Sequence, residues 1–257
     1  MNRVSLWLGR RIGAYLNHRM RGDGEDTAPA TDQLAATLRP GDVLLVEGDT
    51  RISVAIKYLT QSTWSHAALY VGDALRRANE QGEMLCFVEA NIAEGVRAVP
   101  LSEYQGLQTR ICRAKNLSQQ DIGRLLNFAC ERIGHQYDLR NVIDLARYLL
   151  PTPPVPERWR RRMLELGSGD PTRAICSTLI AAAFQSVRYP ILPIVKSGPS
   201  DDPDCPECTE EFLHMRHHSL FVPRDFDLSP YFEVVKPTLA AGFDPYQLNW
   251  AERTAQV

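Results

Sequence analysis

A helix that opens at a cysteine and buries one face constrains this chain more than any other feature. The run Ala174-Ile175-Cys176-Ser177-Thr178-Leu179-Ile180-Ala181-Ala182-Ala183-Phe184 follows a loop rich in Gly, Asp and Pro and reads as a helix beginning at Cys176. Positions 179, 180, 183, 184 and 187 are apolar or small, the spacing of a helix face packed inward. The thiol then lies at the edge of the core and at a helix N-terminus, where free backbone N–H groups and the helix dipole favour thiolate over thiol. A buried thiol is by default an inert small hydrophobe. The helix-start position and the polar followers Ser177 and Thr178 argue for chemistry.

A thiol nucleophile needs a base. His66 follows Gln61-Ser62-Thr63-Trp64-Ser65 and opens the apolar segment Ala67-Ala68-Leu69-Tyr70-Val71, which ends at Gly72-Asp73 and reads as a short strand. An unperturbed imidazole titrates near neutrality, as a general base requires. A third group should hold the ring in one tautomer, and the next strand offers Glu89 and Asn91 on one face by its period of two. The plainer readings are a satisfied structural histidine and a strand-end carboxylate facing solvent.

With 257 residues, 44% of them hydrophobic, the chain can bury one substantial core with extensions. The net charge of −2 and the lack of interleaved basic and aromatic residues argue against nucleic acid as a partner. Six cysteines, three of them in apolar contexts, do not form a disulfide framework. Arg10 and Arg11 interrupt the apolar character of the N-terminus and no window reaches the length of a membrane span, so the expectation is a soluble cytoplasmic protein. Leu6, Trp7, Ile12, Tyr15 and Leu16 nevertheless alternate with arginines, a basic amphipathic pattern that suits either packing on the domain or peripheral membrane contact through residues 1–21.

Residues 1–31 therefore read as a basic amphipathic helix and polar linker, 32–237 as the main domain, and 238–257 as a tail. Within the domain, a helix at 32–38 leads through Arg39-Pro40-Gly41-Asp42 into the strand Val43-Leu44-Leu45-Val46. A helix over Ile52 to Leu59 delivers the chain to the His66 strand, and further strands are predicted at 84–90, 95–99, 109–113 and 231–235. Ser118 caps a helix running to Gly134, and helices are expected at 141–150 and 157–166. A Pro- and Asp-rich insertion at about 190–223 is too long for a bare connector.

These blocks resemble a known family. Arg39-Pro40-Gly41-Asp42-Val43-Leu44-Leu45, Ser65-His66-Ala67-Ala68-Leu69-Tyr70-Val71-Gly72, Glu89-Ala90, Gly134-His135-Gln136-Tyr137-Asp138 and Cys176-Ser177-Thr178-Leu179-Ile180 are similar to the circularly permuted papain-like amidases of the YaeF/YiiX type, within the NlpC-like superfamily. The resemblance spans roughly residues 38–235. It implies an α+β fold, an antiparallel sheet or small barrel packed against helices that include the nucleophile helix. It also implies Cys176 as nucleophile, His66 as base and Glu89 as orienting acid, with Tyr137 lining the site; Ser177 and Asn91 are further substrate or oxyanion candidates. The chain departs from the family at Thr178, where a Glu often stands, and in the insertion.

The implied function is a cysteine hydrolase that cleaves a peptide, isopeptide or acyl-amide bond through a Cys-His-Glu triad and a thioester intermediate, with no cofactor required. Its partner is a peptide-like or acylated substrate. Relatives such as the lecithin retinol acyltransferase group act on lipid esters, so a membrane-surface acyl hydrolase or acyltransferase is a second reading. The insertion carries Cys205, Cys208, His214, His217 and His218, and Cys205, Cys208, His214 and His218 could complete a tetrahedral structural zinc site. A catalytically silent, zinc-stabilised binding module is the third reading.

Overall fold

The computed structural model describes residues 31–91, 94–136, 175–199 and 209–240, with positions 242, 244 and 246. The basic segment 1–21, the expected helices at 141–150 and 157–166, Tyr137, Cys205, Cys208 and most of the tail lie outside the described residues.

Strands β1 (Val43–Glu47), β2 (His66–Tyr70), β3 (Leu85–Asn91), β4 (Gly95–Pro100), β5 (Gln108–Ala114) and β8 (Phe232–Val235) form one sheet in the order β4-β3-β2-β1-β5-β8. Every neighbouring pair in it is antiparallel. Helix α1 (Thr31–Thr37), α2 (Arg51–Thr60), α3 (Gln119–Cys130), α4 (Ile175–Ser186), α5 (Pro223–Leu228) and α6 (Pro237–Ala240) surround it.

Strand β1 is apolar at successive positions because both of its faces are covered. Val43 and Leu45 join Ala67, Leu69, Val88 and Ala90 against Leu125 and Ala129 of α3 and Leu179, Ile180, Ala183 and Phe184 of α4. Leu44 and Val46 face the other way, with Ala68, Phe87 and Ile111, against Leu34 of α1 and against Tyr104 of the 3-10 turn Leu101–Tyr104. The barrel alternative is thereby corrected: the sheet is open, with β4 and β8 at its edges. Helices close its two faces, so the strands need not curl onto themselves to bury apolar surface.

Local signals set the boundaries. Thr50 caps α2 by accepting from Ser53 N at 3.2 Å, and Ser118 caps α3 by accepting from Asp121 N at 3.1 Å. Asp42, buried in the turn before β1, accepts from Arg39 N at 2.8 Å and from Arg113 at 2.7 and 2.8 Å, locking that turn to β5.

The insertion holds a second, two-stranded sheet that the sequence reading left as a long connection. Strand β6 (Ile194–Pro199) pairs antiparallel with β7 (Thr209–His214), and every residue of β7 is exposed. Helix α5 was also unforeseen, although Pro223 stands at its first turn and the Asp225 carboxylate accepts from Val222 N at 3.0 Å.

Candidate active site

His66 is the first residue of β2, and the chain entering it is tied down on several sides. Ser65 N donates to Val46 O at 3.1 Å, and Ser65 Oγ accepts from Gly48 N at 2.9 Å. Trp64 is buried and donates from Nε1 to Asp227 of α5 at 3.1 Å, while Arg110 grips the same carboxylate at 2.7 and 2.8 Å.

The His66 ring meets Glu89 of β3, Nε2 lying 2.6 Å from Oε2. An ionised carboxylate only accepts, so the proton of this bond sits on Nε2 and Nδ1 is left for the thiol. On its other side the ring hydrogen-bonds the Cys176 side chain at the tip of α4. The structure therefore brings together the three residues that the resemblance singled out. Burial alone would push the His66 pKa down; the charge of Glu89, then the charge and hydrogen bond of Cys176, push it up to about 10. The arrangement favours the imidazolium form of His66.

Glu89 is 2% exposed and is the hub of a larger network. Tyr104 OH donates to its Oε2 at 2.6 Å, and Arg97 Nε donates to its Oε1 at 2.8 Å. Burial would raise the carboxyl pKa, but the His66 charge and hydrogen bond, Arg97 and Tyr104 hold it down at about 2. Tyr104 is pushed well above its ordinary value by burial and by Glu89, so it stays a donor. Its ring packs edge-on to Phe87 at 5.0 Å, which fixes the hydroxyl. Arg97 also reaches Glu103 at 2.9 Å and Glu94 at 3.2 Å.

Arg97 and Tyr104 were missed by the sequence reading. Arg97 had a legible signal: Asn91 pairs with Gly95 across the β3–β4 turn, which makes Glu89 and Arg97 direct register partners. Tyr104 had none, because it arrives from a 3-10 turn beyond the sheet.

The other candidates fare differently. Asn91 is the last residue of β3, half-buried and two positions past Glu89. Ser177 is fully buried and its hydroxyl donates to Phe221 O at 2.8 Å, so the side chain anchors α4 instead of meeting a substrate. His214 ends β7 and is exposed, whereas His218 lies in the 3-10 turn His218–Leu220 with its ring 4.1 Å from that of His217. Among the described residues no three His, Cys, Asp or Glu side chains gather closely enough to hold a metal ion, and no helix is long and apolar enough to cross a membrane.

Beside the tip of α4 lies a cleft of about 250 Å³ lined by Thr178, Leu179, Ala182, Val96, Arg132 and His135, with Gln136 and His218 at its rim. Two roomier hollows, about 330 and 550 Å³, open by the Arg39–Asp42 turn and beside Tyr70 and Cys86, and none of the three is lined by a residue of the Cys176-His66-Glu89 group.

No curated protein matches the sequence. Among solved structures, a crystal structure of the metalloprotein yiiX from Escherichia coli is similar at 16% identity and a TM-score of 0.44, over 77% of this chain and 96% of that one. The model of the permuted papain-like amidase enzymes, YaeF/YiiX, matches residues 37–148, a span that holds His66, Glu89, Arg97 and Tyr104 and ends before Cys176. Over that segment the chain is similar to the permuted papain-like amidases of the YaeF/YiiX type, a family of cysteine hydrolases.

Proposed function

We propose that this protein cleaves an amide bond, in a peptide, an isopeptide or an acyl-amide, with Cys176 as nucleophile, His66 as acid and base, and Glu89 as the orienting carboxylate. The observation that carries the reading is the hydrogen-bonded chain from the Cys176 thiol through the His66 ring to a buried, ionised Glu89. A binding module that had lost its activity would have no use for a buried charge beside a thiol, because such a group stabilises a fold less than an apolar one of the same shape.

The thiolate adds to the carbonyl carbon, and the C–S bond forms as the carbonyl electrons move onto oxygen. Backbone N–H groups in the first turn of α4 lie where that oxyanion develops. Collapse breaks the C–N bond, and the imidazolium Nδ1 proton passes to the departing amine. A water then gives its proton to the neutral ring as it attacks the thioester, and Cys176 leaves as thiolate. Glu89 keeps Nε2 protonated throughout. No step calls for a cofactor, and the protein is proposed to act in the cytoplasm.

The test is turnover of peptide, acyl-amide and ester libraries by the full chain. Amide hydrolysis, lost in Cys176→Ala and reduced by at least ~10³-fold in His66→Ala, is the expected result. Ester-only turnover would favour the lipid acyl hydrolase reading, and no turnover of any class would favour the silent module.

A further inference from the structure

Arg97 meets the orienting carboxylate from the strand next door. It lies on β4 directly opposite Glu89 on β3. Its Nε donates to Glu89 Oε1 at 2.8 Å, and its Nη2 lies 2.7 Å from the same oxygen. The other oxygen, Oε2, has the His66 ring at 2.6 Å and the Tyr104 hydroxyl at 2.6 Å. An ionised carboxylate offers about four acceptor sites, and here two donor atoms stand at each oxygen. With Oε1 given over to Arg97, Oε2 is the oxygen presented to His66.

Arg97 differs from the other donors in carrying a permanent charge. Tyr104 stays a neutral hydroxyl, and His66 gives its charge up each time it protonates a leaving group. Burial works against the Arg97 charge, but the charge and hydrogen bond of Glu89 raise its pKa above the ordinary value. Glu94 and Glu103 also hold the guanidinium, at 3.2 and 2.9 Å. Their side chains are 58% and 44% exposed against 2% for Glu89, so water weakens those two pairs more than the one with Glu89. Glu103 belongs to the same 3-10 turn as Tyr104, so one turn anchors both the hydroxyl and the guanidinium.

The proton between His66 Nε2 and Glu89 Oε2 has two resting places. On nitrogen it makes an imidazolium beside a carboxylate; on oxygen it makes a neutral pair, which a dry interior favours because two buried charges cost more than none. We propose that Arg97 is a positioning residue that keeps this proton on the ring: its fixed charge at Oε1 holds Glu89 ionised, so His66 stays an imidazolium. Among the described residues, Cys176 across the ring, Tyr104 beside Oε2, and Glu94 and Glu103 beyond Arg97 are the other titratable groups bearing on this bond, and none of these four brings a positive charge. A neutral ring is a far weaker acid than an imidazolium and would protonate a departing amine poorly. The placement of the proton rests on the geometry of β3 and β4; its catalytic consequence rests on His66 acting as the acid of the proposed hydrolysis.

The test uses the full chain with labelled nitrogen at neutral pH, the His66 ring nitrogens followed by NMR and the alkylation of Cys176 by iodoacetamide followed by mass spectrometry. The parent should show a proton on both His66 nitrogens. Arg97→Gln should move the Nε2 resonance toward that of a nitrogen without a proton and slow Cys176 alkylation at least ~10-fold, leaving Cys130 unchanged. Arg97→Lys, which keeps the charge and loses the fork, should fall between the two. Arg124→Gln, which removes an exposed arginine of α3, should match the parent. In a Glu89→Gln background Arg97→Gln should add nothing to the His66 spectrum, which separates an effect through Glu89 from a general loosening of the fold. A His66 spectrum and Cys176 rate that ignore Arg97→Gln, or ignore Arg97→Lys where only that variant folds, overturn the proposal, as does an Arg97 effect that persists without the Glu89 charge. A chain that hydrolyses nothing yet meets these expectations would sink the hydrolase reading and leave this one standing; an active chain whose His66 spectrum is indifferent to Arg97 does the reverse.

Discussion

Glu89 carries its charge where a solitary carboxylate would take up a proton, and three donors from three separate elements keep it ionised. Its role is readable in the alkaline limb of activity. His66 must be protonated to release the amine, and with its pKa at about 10 that capacity is lost only as the pH rises through that value. Glu89→Gln removes the largest influence raising the ring's pKa, so the limb should move to lower pH, with kcat/KM down by roughly 10²–10⁴-fold as for other triad-orienting acids. Tyr104→Phe deletes one charged hydrogen bond, costs about 1.5–3 kcal/mol on that account, and should lower kcat more than it changes KM. The sequence made His66 and Cys176 legible because each sits at the start of a recognisable strand or helix, and Glu89 because it lies on the strand that follows His66. Tyr104 was not legible, because its contact with Glu89 is made through space by a 3-10 turn whose pattern carries no period.

At the scale of elements, the site depends on strands that hand their register to one another. The β3–β4 turn sets Arg97 opposite Glu89, and the same strand start brings Gly95 under the chain leaving α3. Gly95 has φ +78°, and a Cβ there would run into the carbonyl of His135. Gly95→Ala should therefore lower the urea midpoint by an amount equivalent to about 1–3 kcal/mol. It should also perturb the His135 resonances while leaving those of His66 nearly unchanged. The strands of the large sheet were legible from alternation and turn residues. The β6–β7 hairpin was not: residues such as Val195, Phe212 and Leu213 are exposed, so no buried face imposes a pattern on it. The turn that leads into β1 was legible as a turn, but nothing local disclosed that Asp42 would be clamped by Arg113 from β5.

For the molecule as a whole, a buried charge network makes stability depend on pH in a defined window. Glu89 drops from its ordinary 4.5 to about 2 on folding, so its contribution is present above pH 4.5 and fades as the pH falls toward 2. His66 rises from 6.5 to about 10, so its contribution is whole below pH 6.5 and fades as the pH climbs toward 10. Thermal unfolding followed across pH should show the network's largest effect between about pH 4.5 and 6.5, and Glu89→Gln should flatten the acid side of that curve. The open antiparallel sheet with helices on both faces explains why residues from β2, β3, β4 and α4 can meet at one edge of the core. The most direct measurement of the central claim is site-resolved alkylation by iodoacetamide at neutral pH, read by mass spectrometry. Cys176 is 5% exposed and Cys86 and Cys130 are half-buried, so accessibility alone favours the latter two. The account predicts that Cys176 is nevertheless alkylated at least tenfold faster than either and that His66→Ala abolishes its lead. A Cys176 that reacts no faster than Cys130, or whose rate ignores the loss of His66, would contradict it.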